Sequence, residues 1–371
     1  MGGVLELALA GVQQLRPYAP GKPLSELERE YGIAQAVKLA SNENPLGPSP
    51  AARRAVQDGL DELARYPDGN GFVLKAALSA RLGVRPEQIT LGNGSNDVLE
   101  LVARAFLSPS SSAVFSAHAF AVYPLVTQAI GAEARVAPAH DGSRGPRYGH
   151  DLDAMAALVR EDTRVVFIAN PNNPTGTWLK EAELRAFLEQ LPTTTLAVVD
   201  EAYFEYVDAP DYPDASRWID AFPNLLVTRT FSKAYGLAAL RVGYGLSQPE
   251  LADALNRVRQ PFNVNSPALA AATAALDDEA HLARSVEINR AGLAQLTAGF
   301  EALGLDYIPS VGNFVAVDTG RDAAVVYEAL LHEGVIVRPV ENYGLAGFLR
   351  ISVGLEQENA RCLAALERVL A

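Results

Sequence analysis

A lysine set between an apolar run and a turn rich in glycine and alanine is the first candidate for chemistry in this sequence. Lys233 follows the apolar residues 225–227, which predict a buried strand, and it precedes Arg241 by eight residues in TRTFSKAYGLAALRVG. A partly desolvated lysine has a lowered pKa and, as a neutral amine near pH 7, can form a Schiff base. The chain has only five lysines, and this stretch contains no acidic residue. The stretch therefore indicates a reactive lysine, with a loop lysine at a strand end as the alternative.

Acidic and amide side chains follow two further apolar runs. Asp200 and Tyr203 come after the apolar residues 196–199, and Asn173 lies in NPNNPTG after residues 164–169. A carboxylate at the end of an apolar strand needs a cationic partner, and a protonated pyridine nitrogen would be one. Tyr203 and Asn173 could donate hydrogen bonds to an oxygen on the same ring. The alternatives are an acid that caps a helix and a plain turn.

Small polar residues and an arginine supply groups that bind a phosphate. The turn GNGSN precedes a predicted helix, where backbone N–H groups and the helix dipole favour an anion. Hydroxyls and the guanidinium group of the lysine stretch add donors and a fixed positive charge. The candidate phosphate ligands are Gly94, Ser95, Asn96, Thr230, Ser232 and Arg241. Because glycine turns before helices are common, this set is informative only together with the residues above.

An aromatic residue completes the set. Phe120 follows another predicted strand and could stack on a planar ring, although aromatic residues near strand ends more often belong to a core. A lysine for an imine, an acid for a ring nitrogen, donors for a ring oxygen and an anion cradle together describe a site for pyridoxal 5'-phosphate. In such a site the protonated ring draws electrons from the substrate. Lys233, once displaced by the substrate amine, can carry protons.

The elements that must position these residues form an alternating pattern. From about residue 88 to about residue 229, apolar strands are separated by amphipathic helices, which predicts a mostly parallel sheet covered on both faces. Ligands of such sheets collect at the carboxyl ends of the strands. Later, a long helical stretch over 267–303 precedes three short strands, which predicts a smaller α+β domain. The predicted divisions are an N-terminal arm that joins the small domain (1–45), a large cofactor-binding domain (46–262) and a C-terminal small domain (263–371).

Composition and charge argue against several classes of function. The 371-residue chain has a formal net charge of −13, which disfavours nucleic acid as a main partner. The one cysteine, Cys362, is expected to pack in a helix, and a chain without internal disulfides fits the cytoplasm. No apolar run approaches the roughly 18–20 residues of a membrane span, and the N-terminus lacks the basic segment of a secretory signal. The histidines show no metal-ligand spacing, so we predict no metal, and we expect His140 and His150 to be exposed.

Three motifs carry a resemblance to a known family. NPNNPTG, VVDEAYFEY and RTFSKAYGLAALRVG, in this order and spacing, resemble the fold-type-I, class-II pyridoxal-phosphate-dependent aminotransferases. Further segments, LRPYAPGKP, KLASNENPLGPSP, RYPDGNG, LGNGSND, VIVRP and LRISVG, are similar to those of histidinol-phosphate aminotransferases and extend the resemblance over nearly the whole chain. The resemblance implies a mostly parallel, seven-stranded α/β sheet with helices on both faces, a smaller α+β domain and a homodimer with shared active sites. It also implies transamination between L-histidinol phosphate and 2-oxoglutarate in histidine biosynthesis.

The resemblance also implies a role for each matching residue. Lys233 would form the Schiff base with the cofactor, Asp200 would hold the ring nitrogen, and Phe120 would stack on the ring. Asn173 and Tyr203 would bind the ring oxygen, and the phosphate would be held by the ligands named above. Tyr66 would reach the cofactor phosphate of the neighbouring subunit. The residues expected to bind the anionic groups of the substrates are Tyr18, Asn42, Arg338 and Arg350.

One departure and several alternatives stand beside this interpretation. His118 and Ala119 occupy the place where many relatives have Pro-Thr before the stacking aromatic residue, which bears on local geometry and substrate range. The nearest alternative is an aromatic amino acid aminotransferase with the same site and a different pocket. The others are a decarboxylase of a phosphorylated amino acid on this scaffold and a cofactor-sensing transcription regulator, against which the acidic charge argues.

Overall fold

The computed structural model describes residues 3–18, 21–33 and 35–371. In the described part of the chain, the strands are β1 (Val37–Lys38), β2 (Ile89–Gly92), β3 (Ser112–Ser116), β4 (Glu133–Ala137), β5 (Thr163–Ala169), β6 (Leu196–Asp200), β7 (Leu225–Thr230), β8 (Gly243–Ser247), β9 (Tyr307–Ile308), β10 (Phe314–Asp318), β11 (Val335–Ile336), β12 (Arg338–Pro339) and β13 (Phe348–Ser352). The α-helices there are α1 (Ala10–Gln13), α2 (Leu24–Tyr31), α3 (Pro50–Asp58), α4 (Phe72–Leu82), α5 (Ser95–Phe106), α6 (Val122–Ile130), α7 (Leu152–Leu158), α8 (Glu181–Gln190), α9 (Pro249–Val258), α10 (Ser266–Asp277), α11 (Glu279–Ala302), α12 (Ala323–His332) and α13 (Glu356–Leu370).

A seven-stranded sheet in the order β2-β8-β7-β6-β5-β3-β4 forms the centre of the fold. Only β8 runs against the others, so the predicted mostly parallel sheet is confirmed. The sequence analysis missed β8, whose glycines are unfavourable inside a strand. They are needed here, because a Cβ atom on Gly243 would lie 2.4 Å from the backbone nitrogen of Ser95. The glycine therefore allows the first turn of α5 to approach the sheet.

Both faces of this sheet are apolar because side chains alternate along each strand. In β5, Val165 and Phe167 pack into one buried cluster with residues of α5, α6 and α9. Val166 and Ile168 point the other way and pack with residues of α4, α8 and α10. The layers of helices leave the carboxyl ends of β5, β6 and β7 together at one edge, where the candidate residues follow.

A second sheet of four antiparallel strands, in the order β12-β13-β10-β9, lies in the C-terminal part of the chain. Cys362 is fully buried in its core together with residues of α11 and α12, which confirms the expected packing role. Strand β1 pairs in parallel with β11 and so attaches the N-terminal arm to this part of the fold. The divisions 1–45, 46–262 and 263–371 stay predictions, and residues 1, 2, 19, 20 and 34 of the arm lie outside the described residues.

The helices add local detail to the sequence predictions. Helix α2 begins at Leu24 and has no side-chain cap. The helical stretch 267–303 is two helices, since Asp278 follows α10 and caps α11 by accepting a hydrogen bond from the backbone N–H of His281 at 3.2 Å. The helix predicted after the turn GNGSN begins within that turn, at Ser95, so Ser95 and Asn96 belong to its first turn.

The two histidines expected to be exposed are not. His140 is partly buried, and His150 is buried with its Nε2 atom 2.9 Å from the carbonyl oxygen of Ala169. Because a carbonyl only accepts, Nε2 donates this bond. Burial lowers the pKa of His150 to about 4, which keeps the ring neutral near pH 7.

Among the described residues, no helix combines the length and apolar character that a membrane span requires. Nor does that part of the chain place three or more His, Cys, Asp or Glu side chains together as metal ligands. The expectation of no metal stays a prediction.

Candidate active site

A cavity of about 400 Å³ lies at the carboxyl ends of β5, β6 and β7. It also borders β12, β13 and the segment after β1, so it lies between the two sheets. Most of the residues proposed from the sequence line it: Tyr18, Asn42, Ser95, Asn96, Phe120, Asn173, Asp200, Tyr203, Thr230, Ser232, Lys233, Arg241, Arg338 and Arg350. Gly94 and Tyr66 do not line it.

Lys233 is poised to be a neutral amine. Its Nζ atom donates a hydrogen bond to the carbonyl oxygen of Ser41 at 3.2 Å. Burial lowers the pKa of Lys233 to about 7, and the positive charges of Arg350 and Arg241 act in the same direction. A large fraction of the side chain is therefore unprotonated near neutral pH, as a nucleophilic lysine requires.

Asp200, the last residue of β6, is buried without a cationic hydrogen-bond partner among the described residues. Its Oδ1 atom accepts a hydrogen bond from Thr228 at 2.9 Å, and its Oδ2 atom accepts one from Tyr123 at 3.0 Å. Burial raises the pKa of Asp200 above its usual value, although both hydrogen bonds and Lys233 favour the charged form. A cationic ligand in the cavity would remove this penalty.

Tyr203 and Asn42 form a pair of donors on the cavity wall. Asn42, in the left-handed region with φ of 54°, donates from Nδ2 to the Tyr203 hydroxyl oxygen at 2.9 Å. Burial raises the pKa of Tyr203 to about 12, so the hydroxyl keeps its hydrogen. Since Tyr203 accepts from Asn42, its own O–H remains available to a ligand.

Two arginines stand on neighbouring strands of the four-stranded sheet. Arg338 of β12 and Arg350 of β13 are directly opposite in the antiparallel register, so their side chains leave the same face. Arg350 is held by the side chain of Asn173 at 2.5 Å and the carbonyl oxygen of Ala40 at 2.7 Å, and its Nε atom is buried with no partner among the described residues. Arg338 lies over the ring of Tyr18 at 5.4 Å.

The proposed anion cradle is built around Arg241. Its Nη1 atom donates to the hydroxyl of Ser232 at 3.2 Å and to the carbonyl of Ala238 at 2.9 Å. Gly94, with φ of 85°, precedes α5, and a Cβ atom there would lie 2.4 Å from Nη2 of Arg241. Gly94 therefore makes room for the guanidinium group beside the first turn of α5, where free backbone N–H groups favour an anion.

Phe120 lies on the wall of the cavity, whereas Tyr66 lies on the exposed surface of the chain. Phe120 lines the cavity and contacts Tyr123 edge to face, with ring centroids 5.9 Å apart. Tyr66 is 82% exposed and stacks on Phe262 at 4.8 Å, away from the cavity of its own chain.

Sequence reasoning missed two residues that hold Asp200. Thr228 is opposite Asp200 in the parallel register of β6 and β7, and it shares a strand face with Thr230 two residues later. That alternation was the available signal. Tyr123 is fixed by stacking on Phe167, with centroids 4.8 Å apart, and its sequence neighbourhood alone gives no sign of this contact.

The fold and this cavity define a fold-type-I aminotransferase. The sequence matches the family described as aminotransferase class I and II over residues 34–366, and the chain belongs to that family. It is 63% identical to histidinol-phosphate aminotransferase 2 of Pseudomonas fluorescens strain Pf-5 over 372 aligned positions, covering all of this chain and 99% of the relative. It is 61% identical to the protein of the same name from Pseudomonas aeruginosa, with both chains fully covered.

Solved structures agree with the family assignment. Histidinol-phosphate aminotransferase from Sinorhizobium meliloti, in complex with pyridoxal-5'-phosphate, superposes with a TM-score of 0.88 at 32% identity, covering 97% of this chain and 96% of that one. Aspartate aminotransferase from Thermus thermophilus, at 21% identity and a TM-score of 0.84 over the whole of both chains, shares the fold.

Proposed function

We propose that this aminotransferase transfers the amino group between L-histidinol phosphate and 2-oxoglutarate, a step of histidine biosynthesis. The observation that carries the proposal is the pairing of Arg338 and Arg350 across β12 and β13 on the wall of the cavity that holds Lys233. Both substrates are anionic and must be accepted in turn. Two guanidinium groups on one face offer fixed positive charge and paired donors to a carboxylate or a phosphate. The unpartnered Nε of Arg350 and the name shared by the relatives support the same assignment.

The cavity fits pyridoxal 5'-phosphate. The raised pKa of Asp200 calls for a cation where a protonated ring nitrogen would lie, and Tyr203 retains a hydrogen for the ring oxygen. Asn173 would bind the same oxygen and Phe120 would stack on the ring. The phosphate would be held by Ser95, Asn96, Thr230, Ser232 and Arg241, with Gly94 keeping the space for the arginine. When bound, the cofactor supplies an electron sink for the bond broken at the substrate Cα.

The residues of the chain supply binding and proton transfer. We propose that the Nζ atom of Lys233 would take the proton from the substrate Cα in one direction of the reaction and give it back to Cα in the other, since its pKa of about 7 suits both directions near neutral pH. The carboxylate of Asp200 would hold the ring nitrogen in its protonated form. Arg350 orients the substrate through its anionic group, and Arg338, Tyr18 and Asn42 border the same space.

We also propose a cytoplasmic homodimer in which Tyr66 completes the site of the partner subunit. Tyr66, Phe72 and Val73 of one segment are exposed in the single chain, as is Phe262, on which Tyr66 stacks, and clustered exposed apolar side chains often mark a protein–protein contact. A second copy of the chain would cover these side chains. Light scattering at micromolar concentration tests this, and a monomer with full activity would contradict it.

The substrate is tested by mixing the pyridoxal-phosphate-loaded protein with L-histidinol phosphate and, in parallel, with L-phenylalanine. We expect the visible absorbance of the bound cofactor to change rapidly with histidinol phosphate and slowly with phenylalanine. The opposite order would make the protein an aromatic amino acid aminotransferase. No change with histidinol phosphate, in protein whose loading is evident from its spectrum, would also overturn the proposal.

A further inference from the structure

His118 links three segments that surround the candidate active site. It lies between β3 and α6, two residues before Phe120, in the left-handed region with φ of 59°. Its Nδ1 atom is 2.6 Å from the carbonyl oxygen of Tyr343, and because a carbonyl only accepts, Nδ1 donates. Its own carbonyl oxygen accepts a hydrogen bond from Nδ2 of Asn172 at 3.0 Å, next to Asn173.

The partner of this bond belongs to the part of the chain that carries the arginines. Tyr343 ends the short 3₁₀ turn Glu341–Tyr343, which follows β12 and therefore Arg338 almost directly. Tyr343 is buried, and it packs with Val340 and Phe348 in one apolar cluster. The bond from His118 thus fixes the turn that ends the strand of Arg338 against the loop that presents Phe120.

The ring of His118 makes a second connection to the same sheet. It meets Tyr148 edge to face at 5.4 Å, and Tyr148 meets Phe348 at 5.6 Å. Phe348 begins β13, two residues before Arg350. The side chain of His118 is therefore joined by a hydrogen bond to the turn that follows β12 and, through the ring of Tyr148, to the start of β13.

We propose that His118 is a positioning residue that sets the separation between the cofactor-facing loop and the arginine pair, and through it the affinity for anionic substrates. His118 lines neither the cavity nor the anion cradle, so it acts through its hydrogen bond to Tyr343, and its ring contact with Tyr148 contributes little to substrate affinity. The inference rests on the proposed function, in which the arginines bind the substrate anions. Both the neutral imidazole with a hydrogen on Nδ1 and the imidazolium can donate this bond, so the link does not require a particular charge.

Three substitutions separate the donor from the rest of the side chain. His118→Asn keeps an N–H donor near the position of Nδ1 and tolerates a positive φ. His118→Asp has nearly the same shape but presents an acceptor to the Tyr343 carbonyl. His118→Gly removes the donor without adding charge and also accepts the backbone conformation.

We expect the Asn variant to stay within about twofold of the wild-type KM for histidinol phosphate and for 2-oxoglutarate. The Asp and Gly variants should raise both KM values by about three- to tenfold, the weight of one net hydrogen bond, with kcat changed less than about twofold. The absorbance of the bound cofactor should be the same in all four proteins. Equal KM values in all four, or an Asn variant as impaired as the Gly variant, would overturn the proposal.

A readout independent of turnover is hydrogen–deuterium exchange of the backbone amides of residues 341–347. We expect faster exchange in the Asp and Gly variants, wild-type exchange in the Asn variant, and no change in the strands of the seven-stranded sheet. Unchanged exchange in the Gly variant would contradict the link. If the wild-type protein fails to act on histidinol phosphate, the proposed function falls, while the exchange experiment still decides whether His118 holds the turn.

Discussion

Asp200 and Glu201 are neighbours in the sequence, but they face opposite sides of the seven-stranded sheet and serve different ends. Asp200 faces the cavity, accepts hydrogen bonds from Thr228 and Tyr123, and has no cationic partner of its own among the described residues. Glu201 is fully buried on the other side, where its Oε2 atom accepts from Nε and Nη2 of Arg229 at 2.9 and 2.7 Å. The carboxylate of Asp200 can therefore accept a cationic ligand, whereas the carboxylate of Glu201 is already paired with Arg229.

The side away from the cavity is a closed ion cluster made of Glu201, Arg229 and Asp214. Asp214 accepts from Arg229 at 2.6 Å, the second oxygen of Glu201 accepts from the backbone N–H of Ala215 at 3.0 Å, and the guanidinium group lies 3.6 Å from the ring centroid of Phe204. Among the described residues, no fully buried side-chain nitrogen or oxygen of this cluster lacks a hydrogen-bond partner, as a buried ion pair requires if it is not to destabilise the fold.

Because side chains alternate along each strand, the residues that face the cavity are separated from the residues that stabilise the fold. In β7, Thr228 faces Asp200 and Arg229 faces Glu201, because successive side chains leave opposite faces. The ion cluster therefore joins the ends of β6 and β7 on the face away from the cavity. On the other face, the same strand ends present Asp200 and Thr230 to the cavity, and Thr228 supports Asp200. The cost of an unpaired carboxylate is confined to the side where a ligand can remove it.

The largest expected effect comes from Asp200→Asn, which keeps the shape and removes the charge. We expect kcat/KM to fall by about 10²- to 10³-fold, the scale set by loss of one preorganised electrostatic group. The free energy of unfolding of the cofactor-free protein should not fall, because a buried carboxylate with a raised pKa is lost. Steady-state kinetics tests the expected fall in kcat/KM, and urea unfolding tests the expected free energy of unfolding. Activity within tenfold of wild type would contradict the assigned role.

Glu201→Gln should lower stability and largely preserve activity, the reverse of the result expected for Asp200→Asn. Removing the charge of Glu201 leaves Arg229 paired with Asp214 alone within the cluster and should lower the free energy of unfolding by about 1–3 kcal/mol. The folded fraction should keep most of its activity, since Glu201 does not line the cavity. Asp208→Asn is the matched control, because its pair with Arg290 is exposed and worth within about 1 kcal/mol. A Glu201→Gln protein as stable as this control would show that the cluster adds nothing to the fold.

Arg350→Lys tests the side of the cavity that the four-stranded sheet provides. A lysine keeps the charge but loses the planar fork that reaches Asn173 and Ala40 at the same time. We expect KM for both anionic substrates to rise by about tenfold or more, with the cofactor spectrum unchanged, in line with the loss of a charge-assisted hydrogen bond. An unchanged KM for 2-oxoglutarate would remove Arg350 from the substrate site.

The sequence predicted those parts of the site that follow from strand ends and register. Lys233, Asp200, Tyr203 and Asn173 were found because each follows an apolar run, and parallel strands bring such ends to one edge. The family resemblance, rather than any local pattern, pointed to Arg338 and Arg350.

Contacts between distant segments were out of reach. The side chain of Asn42 is hydrogen-bonded to Tyr203, 161 residues away in the sequence. The positive φ of Asn42, which directs this side chain, cannot be predicted from composition. His150 is buried with its ring hydrogen-bonded to the carbonyl of Ala169, and the glycine-rich loop before it gives no basis for predicting this contact. Strand β8 was not predicted because it is rich in glycine. The reason for its glycines is the close packing of α5, which only the structure shows.

The most gradual expected effect, spread over several pH units, separates Lys233 from the buried ion cluster. The pKa of Lys233 is lowered to about 7 in the folded protein and returns to an ordinary lysine value near 10.5 on unfolding. Between these two values the unfolded chain holds the extra proton, so the contribution of Lys233 makes stability rise with pH, by at most about 1.4 kcal/mol per pH unit. Lys233→Met removes this proton without leaving a charge, and the difference in unfolding free energy between the two cofactor-free proteins should change over that window. A pH-independent difference would mean that the lysine is charged in the folded state, and the cavity would then lack the neutral amine that the proposed chemistry needs.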